Sequence, residues 1–473
     1  MSKEICEAIH RSSMEMLEKI GFRCPDEPML ELLRENGIEV VGDRAFFKEG
    51  QIMALVKRAP SAFTVYARNP EHDMRIGSGS PWFAAGYGAA LISDFNGNKR
   101  AAHFSDYVNF LKIVQQCEHF HLNGGMLIPP SEMDLSMEFP LLLFSTMALS
   151  DKCLICGTGG PKESVRVIEM LKIAFGDTLV EKPRLFALVN TLSPLALSKE
   201  SCVNIRVFAE NGQPLIVSPA PMSGMTAPVT VLGHLALVNA EALAAIAIAQ
   251  MVRPGTPVIY GVQGQNADLK VGLPAMSSPE SAKVAAYCGK MARHYGLPSR
   301  TGGAKTDAKM VDVQCGYESM MLFMATCVSD IDLIIHSAGL LDSSICMSYE
   351  KFMVDIDLIS MLSRYLKKFD LTADMPSLES IKEGVKTGEF LTSKFTQQHF
   401  RDAHFMPEIG IRGKLKDGET PGDRILANIS KKMDSLLSNY TKPALDDGVF
   451  KALSDYLADL NSQKMVTEAI RKE

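Results

Sequence analysis

The sequence predicts an α/β protein: an eight-stranded parallel (β/α)8 TIM barrel with an N-terminal helical extension and C-terminal helices. Short apolar, β-rich runs alternate with helical stretches about eight times. These runs are apolar throughout, as expected of parallel strands that are covered on both faces. No Gly-x-Gly-x-x-Gly follows an early strand, which disfavours an open doubly wound sheet, the alternative architecture.

Residues 1–80 are predicted to form a helical and extended preface packed on the barrel. Apolar residues recur at three- and four-residue spacing from Ile5 to Ile20, so an amphipathic helix opens the chain and ends at Gly21. A second helix follows Pro25, a third is predicted over 49–56, and residues 62–68 alternate like a strand.

The barrel is predicted over residues 81–350, and a helical, more polar region over 351–473. The predicted strands are 119–128, 152–157, 184–192, 214–219, 257–263, 297–303 and 330–338, with 89–94 as a candidate eighth. The predicted intervening helices are 105–116, 136–150, 162–174, 199–210, 229–252, 278–295 and 311–328.

Composition favours small-molecule chemistry. The net charge is −6 with scattered Lys and Arg, so no nucleic-acid surface is indicated. The N-terminus has no apolar signal core, and the most hydrophobic stretch, 231–251, is interrupted by polar residues such as Asn239 and Glu241. We therefore expect a soluble, cytoplasmic protein.

No metal site is predicted. The ten cysteines lie mostly in apolar runs and are typical of reduced core thiols. Cys153 and Cys156 have the spacing of a metal knuckle, but a strand would point them to opposite faces and no second pair follows. Cys117, His119 and His121 alternate without a fourth ligand. The motifs of serine acyl transfer and of phosphate-binding loops are also missing.

Barrel active sites lie at the carboxyl ends of the strands, which here are rich in glycine and neutral polar residues. The predicted strand ends are 124–125, 157–160, 190–194, 218–224, 263–265, 302–305 and 336–339. The Gly302-Gly303-Ala304-Lys305 loop is the leading candidate, because a glycine pair permits close approach of a ligand. Lys305 or Lys309 could form a Schiff base, which leaves a barrel lyase as an alternative function.

Aromatic residues near the predicted mouth could enclose a quaternary ammonium by cation–π contact. They are Trp82, Phe83, Tyr87, Phe95, Tyr260, Tyr317, Tyr349 and Phe352.

Several short motifs occur in order along the chain. They are Ile9-His10 with Met16-Leu17-Glu18-Lys19-Ile20-Gly21, the turn over 68–72, Ser193-Pro194-Leu195, 222–241 ending in Val238-Asn239-Ala240-Glu241, Tyr295-Gly296-Leu297-Pro298-Ser299, Asp307-Ala308-Lys309, Asp312-x-Gln314-x-Gly316-x-Glu318 and Ala338-Gly339. On these motifs the sequence resembles, over nearly its whole length, the trimethylamine methyltransferase family of corrinoid-dependent methylamine methyltransferases.

The resemblance implies a barrel enzyme that passes a methyl group from an amine to Co(I) of a separate corrinoid protein. In trimethylamine-using members, pyrrolysine lies just before the Ser/Thr-Asp-Ala-Lys motif, whereas here the equivalent position is Ala304 or a neighbour. The chain thus resembles the non-pyrrolysine branch that demethylates quaternary amines such as glycine betaine, proline betaine or carnitine. A quaternary ammonium releases a neutral amine without acid catalysis, so direct in-line transfer needs orientation and exclusion of water. The non-enzymatic alternative is a betaine-binding protein.

The candidate site residues follow from the strand ends and the resemblance. The predicted catalytic set is Gly303, Ala304, Asp307, Gln314 and His336. The predicted substrate-binding set is Trp82, Phe83, Tyr87, Asn190, Gln263, Arg300, Lys305, Tyr349 and Phe352. A betaine carboxylate would require Arg300, Lys305, Lys270, His336 or a helix N-terminus.

The corrinoid (cobalamin) is expected on a partner protein that docks over the barrel mouth. Stand-alone corrinoid modules use Asp-x-His-x-x-Gly, and Asp402-Ala-His404 has Pro407 where glycine is needed. No cofactor is expected on this chain itself, and we expect a homo-oligomer.

Overall fold

The computed structural model describes residues 3–157, 159–372 and 375–473, so residue 158 of the predicted 157–160 loop lies outside the described residues, as do residues 1, 2, 373 and 374. The strands are β1 (Phe22–Arg23), β2 (Glu39–Val41), β3 (Arg44–Phe46), β4 (Phe63–Val65), β5 (Met74–Ile76), β6 (Trp82–Phe83), β7 (Leu91–Ser93), β8 (Lys99–Ala101), β9 (Leu122–Gly124), β10 (Cys153–Cys156), β11 (Leu185–Val189), β12 (Leu215–Val217), β13 (Met222–Ser223), β14 (Val258–Gly261), β15 (Gln265–Asp268), β16 (Leu273–Ala275), β17 (Ser299–Gly302), β18 (Leu333–Ile335), β19 (Leu340–Leu341) and β20 (Cys346–Met347). The helices are α1 (Lys3–Lys19), α2 (Glu27–Glu35), α3 (Glu49–Val56), α4 (Phe104–Gln116), α5 (Leu135–Leu149), α6 (Pro161–Phe175), α7 (Lys199–Glu210), α8 (Val231–Val252), α9 (Pro279–Tyr295), α10 (Val313–Cys327), α11 (Tyr349–Leu366), α12 (Leu378–Thr387), α13 (Lys394–Ala403), α14 (Pro421–Ser438), α15 (Asp447–Tyr456) and α16 (Gln463–Lys472).

Eight parallel strands form the central sheet, in the order β6-β18-β17-β14-β12-β11-β10-β9. A parallel bridge between Phe83 and Phe120 brings its two edges together and nearly closes the barrel. Apolar side chains from several barrel strands, such as Ile155, Phe186 and Ile259, are buried together in one core cluster. The predicted barrel is therefore confirmed.

The prediction of 89–94 as the eighth barrel strand was wrong. The eighth barrel strand is β6, and Leu91–Ser93 instead pairs with β8 and β20 in a separate sheet of order β19-β20-β7-β8. Two residues are too few to show a periodic pattern, so β6 leaves no signal in the sequence.

Among the described residues, one helix, α8, is long and apolar enough to span a membrane, but it is mostly buried inside the protein. It packs against α1, α3, α7 and α9. The Ser13 hydroxyl on α1 donates to the carbonyl oxygen of Ala236, and the Asn239 amide donates to Ser13, each at 2.8 Å. These buried bonds fix α1 against the outer face of the barrel's helical layer.

Two small sheets lie beyond the carboxyl ends of the barrel strands. One is β13-β15-β16, whose strands follow β12 and β14, and the other is the β19-β20-β7-β8 sheet. The C-terminal helices pack elsewhere: α14 contacts α4 and α11, whereas α15 and α16 contact α5. The extra sheets thus surround the end of the barrel where active sites occur.

Candidate active site

A cavity of about 340 Å³ opens at the carboxyl ends of the barrel strands. Its lining residues are Tyr87, Gly88, Gly125, Met126, Ile155, Cys156, Gly157, Leu188, Asn190, Ser218, Ala220, Gln263, Gln265, Arg300 and His336. Its volume is at the lower end of the range for small-molecule pockets, about 300–1,000 Å³. The barrel therefore offers a site for a small ligand.

Arg300 is the one strongly basic side chain among the described residues that line the cavity. It lies on β17 opposite Gly261 of β14, where an added Cβ would clash with the Val217 carbonyl oxygen and would only touch Arg300 Cδ, at 3.5 Å. Arg300 is 1% exposed, and its Nη1 donates to the Ser218 hydroxyl at 2.6 Å. Burial lowers the pKa of Arg300 to about 10, so the guanidinium stays charged at neutral pH.

His336 follows β18 and adopts a left-handed backbone conformation with φ of 61°. Its Nδ1 accepts a hydrogen bond from the backbone N–H of Tyr87 at 3.3 Å, so the neutral ring carries its proton on Nε2. Burial, with the charges of Arg300 and Lys305, holds the pKa of His336 well below its usual value. The ring is thus a neutral hydrogen-bond donor at pH 7.

Several polar atoms around the cavity have no hydrogen-bond partner among the described residues. They are Tyr87 Oη, Gln263 Oε1, Gln265 Oε1 and Arg300 Nε, all buried. Buried polar groups in native proteins are nearly always satisfied, so four such atoms around one cavity indicate a site that binds a polar ligand. No described lining residue carries a carboxylate, which leaves Arg300 without an anionic partner.

Lys305 adds a second positive charge beside the cavity. It is 2% exposed, and its stem covers Gly302, where an added Cβ would lie 2.8 Å from Lys305 Cε. Burial and the charge of Arg300 lower the pKa of Lys305 to about 8, although Asp307 partly opposes this. Lys305 does not line the cavity, but its charge acts on Arg300 and His336.

Gly303 and Ala304 are buried in the protein interior and do not line the cavity. An added Cβ on Gly303 would lie 2.9 Å from Ser337 Cα, and the carbonyl oxygen of Ala304 accepts a hydrogen bond from Lys351 Nζ at 3.1 Å. Neighbouring segments therefore occupy the space beside Gly303 and Ala304, where the glycine pair was expected to permit close approach of a ligand.

Asp307 connects loops, whereas Gln314 bonds within its own helix, α10. The Asp307 carboxylate accepts hydrogen bonds from the backbone N–H groups of Met276 and Ser277, at 3.0 and 3.1 Å, and from the Ser343 hydroxyl at 2.7 Å. Gln314 donates to Glu318 at 2.8 Å. Neither residue lines the cavity. Asp307 holds together the loops that follow β16, β17 and β19.

Seven of the eight candidate aromatic residues do not line the cavity, among them the other four of the predicted substrate-binding set. Trp82 starts the first barrel strand and donates to the Arg75 carbonyl oxygen at 3.1 Å, whereas Phe83 packs against Phe323. Tyr349 stacks on Phe110 with ring centroids 4.4 Å apart, and Phe352 packs on the same ring. These rings support the barrel and its helices.

The structure thus brings together five of the predicted residues, namely Tyr87, Asn190, Gln263, Arg300 and His336. The sequence reasoning missed Ser218, Met126 and Gln265 as individual site residues. Ser218 and Gln265 lie in segments predicted as strand ends, and that position was their only signal. Tyr87 is the aromatic ring at the cavity, and it meets His336 edge-on with ring centroids 6.0 Å apart.

The remaining candidate chemistry concerned a Schiff-base lysine, a metal site and the cysteines. Lys309, a Schiff-base candidate, forms an ion pair with Asp342 on the surface of the loop. Among residues 3–157, 159–372 and 375–473, no group of three or more His, Cys, Asp or Glu side chains is placed to hold a metal ion. All ten cysteines are buried free thiols.

Comparisons with known proteins agree with this architecture. Residues 1–464 match the family model described as trimethylamine methyltransferase (MTTB). A glycine betaine methyltransferase of Desulfitobacterium hafniense (strain Y51) is 34% identical, over 97% of this chain and 96% of that protein. A proline betaine:corrinoid methyltransferase of Eubacterium limosum is 27% identical, over 96% of each chain.

Among solved structures, the Methanosarcina barkeri monomethylamine methyltransferase (MtmB) superposes with a TM-score of 0.55, covering 94% of this chain and 89% of that one. At 10% identity this likeness supports the fold alone. The sequence matches carry the assignment: with residues 1–464 matched and a relative 34% identical over nearly its full length, the chain belongs to the trimethylamine methyltransferase (MTTB) family and is a methyltransferase.

Proposed function

We propose that this protein transfers a methyl group from a betaine-type quaternary amine to the Co(I) of a separate corrinoid protein. The names of the two betaine relatives support this proposal, and glycine betaine is the first substrate to test because its relative shares 34% identity. The observation that carries the proposal is Arg300, a buried cation at a cavity whose described lining has no carboxylate.

The charge pattern favours a zwitterion over a simple amine. A lone cation such as tetramethylammonium would enter next to Arg300 and Lys305 without compensating either charge, which is unfavourable in a buried site. A betaine brings its own carboxylate. That carboxylate can accept hydrogen bonds from Arg300 Nε, which lacks a partner, and from the Nε2–H of His336.

The rest of the lining suits a trimethylammonium group. Tyr87 offers an aromatic ring, Met126 a soft apolar side chain, and Gly125 and Gly157 leave space because they have no side chains. No acid is required here, because the leaving amine keeps both electrons of the broken C–N bond and departs neutral. The residues of this chain therefore bind and orient the substrate and exclude water.

A corrinoid, when supplied, provides the nucleophilic Co(I) that accepts the methyl group. The Asp402-Ala-His404 segment does not fit as its holder, because His404 is exposed at the end of α13 and Pro407 replaces the glycine of the motif. His404 lines a groove with Pro81, which precedes β6, so it lies at the other end of the barrel from the cavity. We infer that a partner protein carries the corrinoid.

The test uses the purified protein, a reduced corrinoid protein and a panel of quaternary amines. The panel contains glycine betaine, proline betaine, carnitine and, as the control without a carboxylate, tetramethylammonium. We expect one betaine to change the corrinoid absorbance and to yield the demethylated amine by NMR, with tetramethylammonium inactive. Absence of methyl transfer from every quaternary amine would contradict the proposal.

A further inference from the structure

The small β13-β15-β16 sheet extends outward from the mouth of the barrel. β13 and β15 pair in parallel, with Met222 opposite Gln265, and β16 returns antiparallel to β15. At its base, Gln265 and Ala220 line the cavity. Its free end is the turn 269–272, about 13 Å beyond Gln265 at about 3.3 Å per strand residue.

This free end is apolar and exposed. Leu269, Val271 and Leu273 are each more than half exposed, as is Met225. The Leu269 side chain lies directly against Gly224, the chain neighbour of Met225, where an added Cβ would meet it at 3.1 Å. We call Met225, Leu269, Val271 and Leu273 the hairpin patch. Exposed apolar side chains gathered at the end of one small sheet indicate an interaction surface.

The hairpin that carries the patch is anchored at its base. The residues that follow β16, Met276 and Ser277, donate their backbone N–H groups to the Asp307 carboxylate. Asp307 belongs to the loop after β17, so the hairpin is attached to two barrel strands through its base. A preorganised surface loses little conformational freedom when a partner binds.

We propose that the hairpin patch is the docking surface for the corrinoid-carrying protein, an inference that rests on the proposed function. The methyl acceptor must reach a cavity inside the barrel mouth, and a folded domain of about 100 residues has a radius of gyration of about 13 Å. A domain that places its reactive atom at the opening therefore covers the hairpin patch as well. A second copy of this chain bound permanently there would obstruct that approach.

The test replaces Val271 with glutamate, which places a charge in the middle of the patch. Val41→Glu is the matched control, since Val41 on β2 is 61% exposed and Val271 is 63% exposed. For a corrinoid protein that the wild type methylates with glycine betaine, we expect V271E to raise the KM and the dissociation constant about tenfold or more. V41E is expected to leave both at the wild-type values.

Two further readouts separate docking from chemistry. With free cob(I)alamin as the acceptor, and in calorimetric titration with glycine betaine, V271E is expected to match the wild type. Wild-type affinity of V271E for the corrinoid protein would overturn the docking proposal, as would a change of V271E in oligomeric state by sedimentation. If the wild type methylates neither free cob(I)alamin nor any corrinoid protein, the proposed function itself fails and the docking proposal falls with it.

Discussion

Replacing Arg300 with methionine should weaken betaine binding and, at the same time, stabilise the ligand-free protein. The guanidinium is 1% exposed, has Ser218 as its hydrogen-bond partner through Nη1, and has no carboxylate among the described lining residues. Its charge is thus unfavourable in the empty cavity and becomes favourable when a carboxylate binds. Methionine keeps much of the volume of the stem and removes the charge.

The magnitudes follow from the burial of this group. Burial lowers the pKa of Arg300 from 12.5 to about 10, and at about 1.36 kcal/mol per pKa unit the charged form costs about 3 kcal/mol. Removing this charge should stabilise the protein, but the Ser218 hydroxyl loses its partner, so we expect Arg300→Met to gain only about 1–3 kcal/mol of unfolding free energy. Loss of one member of a desolvated charge pair costs about 2–5 kcal/mol of binding, so the betaine dissociation constant should rise by about 30-fold or more.

Thermal unfolding and calorimetric titration measure the two effects. Without ligand the variant should melt above the wild type, and the same concentration of glycine betaine should raise the melting temperature of the wild type more than that of the variant. Arg184→Met is the control, because Arg184 donates to the carbonyl oxygens of Tyr66 and Ala67, so its loss should destabilise the protein and spare betaine binding. Wild-type betaine affinity in Arg300→Met would refute the assignment of the carboxylate site.

Three further changes test the surroundings of the cavity. The pKa of Lys305 is lowered to about 8, so its positive charge is lost as the pH rises through that value. Betaine affinity, measured by calorimetry, should therefore fall between about pH 7 and pH 9 in the wild type. In Lys305→Met the affinity should not change over this range. Asp355→Asn leaves the buried Lys351 ammonium without its counterion, so urea unfolding should show a free energy of unfolding lower by about 3–5 kcal/mol. Replacing both Lys351 and Asp355 with apolar residues should restore most of this loss. Gly303→Ala places a methyl group 2.9 Å from the backbone that follows β18, so we expect a lower melting temperature and weaker betaine binding, whereas Gly316→Ala, with open space around it, should be neutral or stabilising.

The barrel could be predicted from the sequence because its signal is repeated. Seven apolar runs each contain a barrel strand, from β9 within 119–128 to β18 within 330–338. Burial on both faces of a parallel sheet produces such runs directly. The first barrel strand, β6, was not predicted because it consists of Trp82 and Phe83 alone, and because its pairing with β18 depends on contacts distant in sequence.

The site could be predicted only in part, because strand ends are visible in the sequence and side-chain direction is not. Asn190, Gln263 and His336 follow strands and reach the cavity, as that reasoning requires. Trp82 begins its strand and therefore lies at the opposite end of the barrel, although its position along the chain is near the mouth residue Tyr87. Local sequence does not reveal which end of a two-residue strand a side chain occupies.

Positive charge next to a cationic methyl donor has a mechanistic advantage when the donor is a betaine. In the proposed betaine complex the carboxylate compensates Arg300 and fixes one end of the substrate, which leaves the trimethylammonium group at the other end, near Tyr87 and neutral neighbours. Lys305 keeps part of its charge near pH 8 and is not needed to neutralise the carboxylate. The positive charge of Lys305 repels the positive charge on the substrate nitrogen. This repulsion is relieved in the transition state, because the nitrogen becomes neutral as the methyl group leaves. We therefore expect Lys305→Met to lower kcat for methyl transfer to free cob(I)alamin even at saturating betaine, and an unchanged kcat would contradict this electrostatic role.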